Sequence, residues 1–233
     1  MKRRMSGASL VVALAAIAAV GVFAERVSAA THSAVRAPAP LVDDAVASAK
    51  IDSTVFAGGC FWGIQAVFQH VKGVISATSG YSGGWVARPS YEDVSSGRTG
   101  HAESVKVVFD PSVVSYGTLL RVFFSVAHDP TELNRQGPDV GTQYRSIAFY
   151  TSEEQKRTVD AYIDQLNKSH VYRQPIVTQV VPFKQFWTAE DYHQNYAAEN
   201  PTNPYIAIND APKVDNLHRM FPQLYSERLA AHE

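Results

Sequence analysis

The feature that most constrains this chain is a change of hydrophobic period across Gly58-Gly59. Val55-Phe56-Ala57 reads as a short strand. Just past the glycines, Ile64, Val67, Phe68 and Val71 recur at i, i+3, i+4 and i+7, one face of a helix. Two glycines allow the sharp reversal that joins the two elements. The same alternation continues downstream. Residues 74–81 read as a strand, 82–100 as a long Gly/Ser/Pro-containing loop, and 103–109 as a strand of clean alternation. Residues 116–127 read as helix, 129–143 as a second loop, and 146–150 as a strand. Ser152 and Gln155 form a capping-box pattern before a helix striped by Val159, Tyr162, Ile163 and Leu166. Residues 176–181 read as a β-branched strand ending at Pro182, followed by helices over 189–199 and 213–225. Val214, Leu217, Phe221 and Leu224 stripe the last of these. Interleaved strands and helices predict an α/β (α+β) domain, a two-layer sandwich; periodicity leaves the strand order open.

At 233 residues, with 45% hydrophobic and 18% charged residues, the chain suits one globular domain plus an appendage. A formal net charge of −1 gives no electrostatic footprint for nucleic acid or an anionic membrane. The single cysteine excludes an internal disulfide and any Cys-x-x-Cys zinc or redox motif. Lys2, Arg3 and Arg4 precede an apolar run over 10–24, and Val27 and Ala29 supply small residues at a cleavage site. Residues 1–29 are therefore expected to be a secretory signal peptide, with an uncleaved membrane anchor as the rival reading. Cleavage removes four bases and one acid, leaving a mildly acidic protein in the periplasm or another extracytoplasmic space. Residues 30–50 are Ala/Pro/Ser-rich and read as a linker or loosely ordered arm. Residues 51–233 then form the folded domain.

Chemistry concentrates around Cys60, which stands at the strand-to-helix junction. The free N–H groups and positive dipole end of the following helix are expected to lower its thiol pKa and supply a nucleophile. A buried structural cysteine is the alternative. Glu103 shares the face of Val105, Val107 and Phe109 in the alternating strand. It is either solvated at the strand end or desolvated, in which case it stays protonated near neutral pH and serves as a general acid. Tyr91 and Tyr144 lie in the two long loops, where each is a hydroxyl donor or simply packing. Phe61 and Trp62 wall an apolar pocket beside Cys60 or belong to the core. His101, His128 and His193 carry no orienting motif and no metal-ligand spacing, so no metal site is expected.

Taken together, Gly58-Gly59-Cys60-Phe61-Trp62-Gly63 closely resembles the signature of the peptide methionine sulfoxide reductase A family. The resemblance continues through Gly80-Tyr81-Ser82-Gly83-Gly84, Pro89-Ser90-Tyr91-Glu92-Asp93-Val94 and Gly97-Arg98-Thr99-Gly100-His101-Ala102-Glu103. His128-Asp129-Pro130, Arg135-Gln136-Gly137-Pro138-Asp139 and Gly141-Thr142-Gln143-Tyr144-Arg145-Ser146 follow in the same order, as does Ala189-Glu190-Asp191-Tyr192-His193-Gln194-Asn195-Tyr196. It covers about residues 53–225.

The resemblance implies a ferredoxin-like core and repair of oxidised proteins by reduction of methionine S-sulfoxide, peptide-bound or free. It implies Cys60 as the nucleophile, Glu103 as proton donor with Tyr91 and Tyr144 assisting, and Phe61 and Trp62 as the cup for the substrate methyl. Asp139 would position the substrate main chain. Attack would leave a sulfenic acid on Cys60. Many family members resolve that acid with a second cysteine in a C-terminal tail; here the matching segment, from Asn200 to Ile208, has none. An external thiol is then required: a thioredoxin-like protein, a glutaredoxin/glutathione system or a small dithiol. No bound cofactor is expected, and the protein is expected to be a monomer. Gln65 stands where an acidic residue is common in relatives. Two other classes remain as competitors, a Cys-His hydrolase using Cys60 and a noncatalytic binder of oxidised methionine.

Overall fold

The computed structural model describes residues 34–43 and 51–232. The signal-peptide expectation for residues 1–29 lies outside the described residues. Strands β1 (Asp52–Ala57), β2 (Val74–Ser82), β3 (Ala102–Phe109), β6 (Ile147–Tyr150), β7 (Gln179–Pro182) and β8 (Phe186–Thr188) form one sheet, in the order β7-β6-β1-β3-β2-β8. Only the β6–β7 pairing is parallel. A two-stranded hairpin of β4 (Arg135–Gln136) and β5 (Asp139–Val140) lies in the second loop.

The helices are α1 (Phe61–Gln69), α2 (Tyr91–Ser95), α3 (Tyr116–Val122), α4 (Glu153–Ser169), α5 (Tyr196–Glu199) and α6 (Ala211–Met220). Buried apolar residues of every helix but α5 join the core on a single face of the sheet, with Phe56, Ala77, Val105, Val107 and Phe109. Phe56 stacks between Phe68 and Phe123, with ring centroids at 5.2 and 4.6 Å. Such aromatic pairs contribute about 0.5–1.5 kcal/mol each beyond area burial. On the opposite face Val55, Ala57, Ala102, Ile147 and Phe149 make a smaller cluster, covered by Val181, Phe183 and Phe186. The α/β class and the strand-then-helix reading around Gly58-Gly59 hold.

Several elements differ from expectation. The segment read as helix over 189–199 is a 3-10 turn (Asp191–His193), a left-handed Asn195 and the one-turn α5. Its polar side chains are spent on neighbouring strands instead: the Gln194 amide bonds both backbone groups of Ser79, at 3.0 Å each. Pairing of β7 starts only at Gln179, because the Val177 N–H donates to the Pro130 carbonyl at 2.8 Å. The capping box at Ser152 is half formed. The Ser152 hydroxyl accepts from the Gln155 N–H, but the Gln155 side chain returns to Thr151.

Residues 34–43, expected to be a linker or loosely ordered arm, are packed. Ala37 is fully buried, and its N–H donates to the Ser125 hydroxyl. Tyr162 donates to the Pro38 carbonyl, and Asp43 accepts from Ser115 and from the Gly117 N–H at the start of α3. The hydrogen bonds come from groups on α3 and its N-cap, on the π-helical turn Phe123–Ala127 that follows it, and on α4, which composition alone could not show.

Candidate active site

Antiparallel register brings three loops to one end of the sheet. Ala57 at the end of β1 faces Ile147 at the start of β6, and Ser82 at the end of β2 faces Ala102 at the start of β3. Residues 58–60, 83–101 and 141–146 therefore meet. The glycine junction is close-packed there. A Cβ on Gly58 would lie 2.8 Å from the His128 ring, and one on Gly59, whose φ is +98°, would lie 2.5 Å from Gln136.

Cys60 caps α1 and is 8% exposed. The Trp62 backbone N–H in the first turn acts to lower the thiol, as expected of a helix N-terminus, but the sulfur makes no capping hydrogen bond to the helix. The expected low thiol pKa does not follow. Burial is the largest influence and raises the thiol well above its ordinary value, and the nearby Glu103 and Asp210 carboxylates add to the rise. The helix N–H and the Lys213 ammonium oppose them and lose. In the free protein the thiol is held neutral.

Glu103 is desolvated rather than solvated. It is 2% exposed, on the helix-covered face with Val105 and Val107. Its Oε2 accepts from the Phe61 N–H at 3.0 Å, so the carboxyl is tied to the first turn of α1 beside Cys60. Burial pushes its pKa up to about 8, with Asp139 and Asp210 adding to the rise against the Phe61 hydrogen bond. It is a protonated acid at neutral pH.

Tyr91 opens α2, whose capping box is made by Ser90 and Asp93. Tyr144 closes the 3-10 turn Thr142–Tyr144. Both phenols are half-buried, both are raised chiefly by burial, and both feel the charges of Glu103 and Cys60. These four groups form one electrostatic neighbourhood.

Trp62 is half-buried and stacks on Tyr196 at 3.9 Å, with Tyr205 edge-on at 6.0 Å. Its indole N–H donates to His193 Nδ1 at 3.1 Å. Phe61 is fully buried, against Tyr81 and His193. Asp139 accepts from the Tyr205 hydroxyl and shares with Cys60 a cavity of about 50 Å³, also lined by Gln136 and Lys213. All seven residues singled out from the sequence lie in this region.

Pattern reading missed the segment that closes the site. Glu190 accepts from the Tyr81 hydroxyl and from the Tyr91 N–H, clamping α2 to β2. Tyr205, Asp210 and Lys213 come from the tail; Asp210 and Lys213 form a buried ion pair at 3.0 Å. Asp210 packs so tightly on α1 that a Cβ on Gly63 would fall 2.1 Å from its Oδ1. Nothing in helical periodicity marks these residues. Gln65 is a satisfied neutral amide that donates to the Ala77 carbonyl and Gln194 and accepts from the Asn195 N–H.

The hydrolase reading finds no support. His101 spends both ring nitrogens on the backbone of Gly84 and Val86, and His128 bonds the Phe123 carbonyl and Ser146. His193 serves Trp62. Among the described residues no group of three or more His, Cys, Asp or Glu is placed to hold a metal ion, and no helix is long and apolar enough to cross a membrane.

Comparison with known proteins agrees with the geometry. Residues 52–224 match the family model described as peptide methionine sulfoxide reductase. Peptide methionine sulfoxide reductase MsrA 2 of Mesorhizobium japonicum is 57% identical over 185 residues, covering 79% of this chain and 95% of that protein. The MsrA 2 of Synechocystis is 51% identical, covering 83% and 90%. Among solved structures, methionine sulfoxide reductase A of Corynebacterium diphtheriae superposes with a TM-score of 0.57 at 31% identity, covering 73% of this chain and 90% of that one. Reduced Mxr1 of Saccharomyces cerevisiae gives 0.59 at 33% identity, covering 67% and 89%. The family inferred from the motifs is thus the family shown by whole-chain similarity, and the chain belongs to the peptide methionine sulfoxide reductase A family.

Proposed function

We propose that Cys60, Glu103, Tyr91 and Tyr144 carry out the methionine sulfoxide reduction that family membership assigns to this chain, acting on the S epimer. The observation that carries this assignment is the hydrogen bond from the Phe61 N–H to the buried Glu103 carboxyl, which fixes an acid beside the only thiol. A sulfoxide oxygen bears negative charge that grows as a nucleophile attacks its sulfur. Preorganised O–H donors stabilise that charge, and a neutral carboxylic acid completes the proton transfer.

In the proposed course the Cys60 sulfur attacks the sulfoxide sulfur while Glu103 protonates the oxygen, helped by the Tyr91 and Tyr144 hydroxyls. The S–O bond to the substrate then breaks, the oxygen passes to Cys60, and the thiol's own proton restores Glu103. Methionine leaves with two more electrons, and Cys60, two electrons poorer, is a sulfenic acid. Trp62 and Phe61 form the apolar wall for the methyl group, and Asp139 takes the substrate main chain. Two equivalents of an external thiol return Cys60 to its reduced state, releasing a disulfide and water. The absence of a second cysteine supports an external reductant of thioredoxin-like, glutaredoxin/glutathione or small-dithiol class. The pattern of residues 1–29 supports export. Within the sheet, the antiparallel run β6-β1-β3-β2 with α1 between β1 and β2 supports reading the core as ferredoxin-like.

A single-turnover assay without reductant tests the reading. The expected result is about one methionine per protein from the S epimer of a blocked methionine sulfoxide, with loss of the Cys60 thiol. No product from either epimer, with the protein folded and Cys60 reduced, overturns it.

A further inference from the structure

Arg145 follows directly on the turn that carries Tyr144, and its guanidinium reaches two backbone carbonyls on different elements. Nη1 donates to Thr142 O at 2.8 Å, within the Tyr144 turn. Nη2 donates to Gly100 O at 3.0 Å, just before the strand that carries Glu103. Gly100 is a stiff anchor: its φ is +73°, and a Cβ there would lie 2.1 Å from the Trp85 ring. Gly83 leaves room for the guanidinium, since a Cβ on it would come within 3.3 Å of Nη2 at a backbone φ of +85°. Arg145 is half-buried, and burial depresses its pKa. Among the described residues no carboxylate forms an ion pair with it.

An uncompensated cation is costly to desolvate, so its position calls for a use. The planar fork of arginine can bond two carbonyls at once, which the point charge of lysine cannot do equally. We propose that Arg145 is a positioning residue that holds the Tyr144 hydroxyl in register with the Glu103 carboxyl by clamping the Tyr144 turn to the lead-in of β3. The proposal rests on the reading of Tyr144 and Glu103 as donors to the sulfoxide oxygen. Misplacement of about 1 Å in such a constellation costs up to roughly a hundredfold in rate.

The test is a double-mutant cycle of Arg145→Ala with Tyr144→Phe, run alongside Arg145→Lys and Glu103→Gln. Single-turnover rate, KM and thermal melting are measured for each. The expected result is a kcat about 10- to 100-fold lower in Arg145→Ala with KM changed less than about twofold. In the Tyr144→Phe background the same substitution should cost little more, because the group it positions is already gone. Arg145→Lys keeps the charge and the methylene stem, and should fold and remain slow. Adding guanidinium ion at tens of millimolar should restore rate to Arg145→Ala but not to Arg145→Lys. If Tyr144→Phe and Glu103→Gln are slow but the Arg145 and Tyr144 effects simply multiply, the clamp is overturned while the donor reading stands. Wild-type rates in Tyr144→Phe or Glu103→Gln overturn the donor reading and the clamp with it. A wild-type rate in Arg145→Lys also overturns the clamp, and that variant decides the matter should Arg145→Ala fail to fold.

Discussion

The two halves of the site are built in opposite ways. Cys60, Glu103 and Tyr144 sit at or near the ends of paired strands, where strand register brings them to one place: Tyr81 faces Glu103, and Ala57 faces Ile147. The other half comes from residues 189–216, which hold a 3-10 turn, a four-residue helix, a π-helical turn (Ile206–Asp210) and only the start of α6. Yet this irregular half supplies the Tyr196 ring under Trp62, the His193 nitrogen for its indole, the Tyr205 hydroxyl for Asp139 and the Asp210–Lys213 pair near Cys60. The contrast separates two tasks. Backbone ladders place the reacting groups, and a side-chain-bonded strap shapes the pocket and adjusts its charges. Substitutions in the first half should strike the chemical step, and those in the second should strike substrate binding.

Glu103→Gln should have the largest effect. Loss of a general acid typically costs 10²- to 10⁴-fold in rate, and the glutamine carbonyl can still accept the Phe61 N–H. Stability should move the other way. Glu103 ionises near pH 8 in the folded protein, against an ordinary 4.5. Between those values the unfolded chain releases its proton while the folded one keeps it, so stability falls as pH rises. The amide removes that penalty, worth roughly 5 kcal/mol at most above pH 8. Urea midpoints of the two proteins should therefore separate on going from pH 5 to pH 8, with the variant higher. An unchanged single-turnover rate would remove the general-acid role.

Trp62→Ala probes the seam between the halves. It deletes the ring stacked on Tyr196 and held by His193, but leaves Cys60 and Glu103 in place. The expected result is KM for a methionine sulfoxide peptide raised about tenfold, in line with the loss of an aromatic contact, with a smaller change in kcat. A loss confined to kcat would break the division of labour.

How much of this was legible in the sequence follows the same division. The β1–α1 junction, the alternating face of Glu103 and the helical stripe of Val214 and Leu217 were readable, because backbone period dictates them, although α6 stops at Met220, short of the Phe221 and Leu224 expected to continue it. All seven candidate site residues converge; local pattern offered a nucleophile at Cys60 and an acid at Glu103 among alternatives, and the motif resemblance chose those roles and added Asp139. Two kinds of property escaped. Tyr205, Asp210 and Lys213 are brought in by tail packing, which no local period encodes. The thiol of Cys60 was misjudged because the sequence shows the helix N-terminus, which lowers a thiol, and hides the burial and the two carboxylates that raise it. The polar side chains of 189–195 produced a false helix for the same reason: their partners, Ser79, Tyr81 and the Tyr91 N–H, are distant in sequence.

Tyr205→Phe should give the smallest effect and sharpen the comparison most, because it removes one hydroxyl from the strap and nothing from the strand ends. That hydroxyl donates to Asp139, whose carboxyl is raised by burial and held down by Tyr205 and Lys213. Without the hydrogen bond Asp139 rises further, so more of it is protonated in mild acid. If Asp139 must be ionised to hold the substrate main chain, KM in the variant should climb earlier than in the wild type as pH falls, by up to about threefold beyond it. That factor corresponds to a net hydrogen bond of about 0.7 kcal/mol. At a pH high enough to ionise Asp139 in both proteins, the two KM values should agree. Single-turnover rates at saturating substrate should match at every pH, since Cys60, Glu103 and Tyr144 are untouched. A rate that falls at saturation would place Tyr205 among the groups that act on the sulfoxide, and the boundary between the two halves would move into the tail.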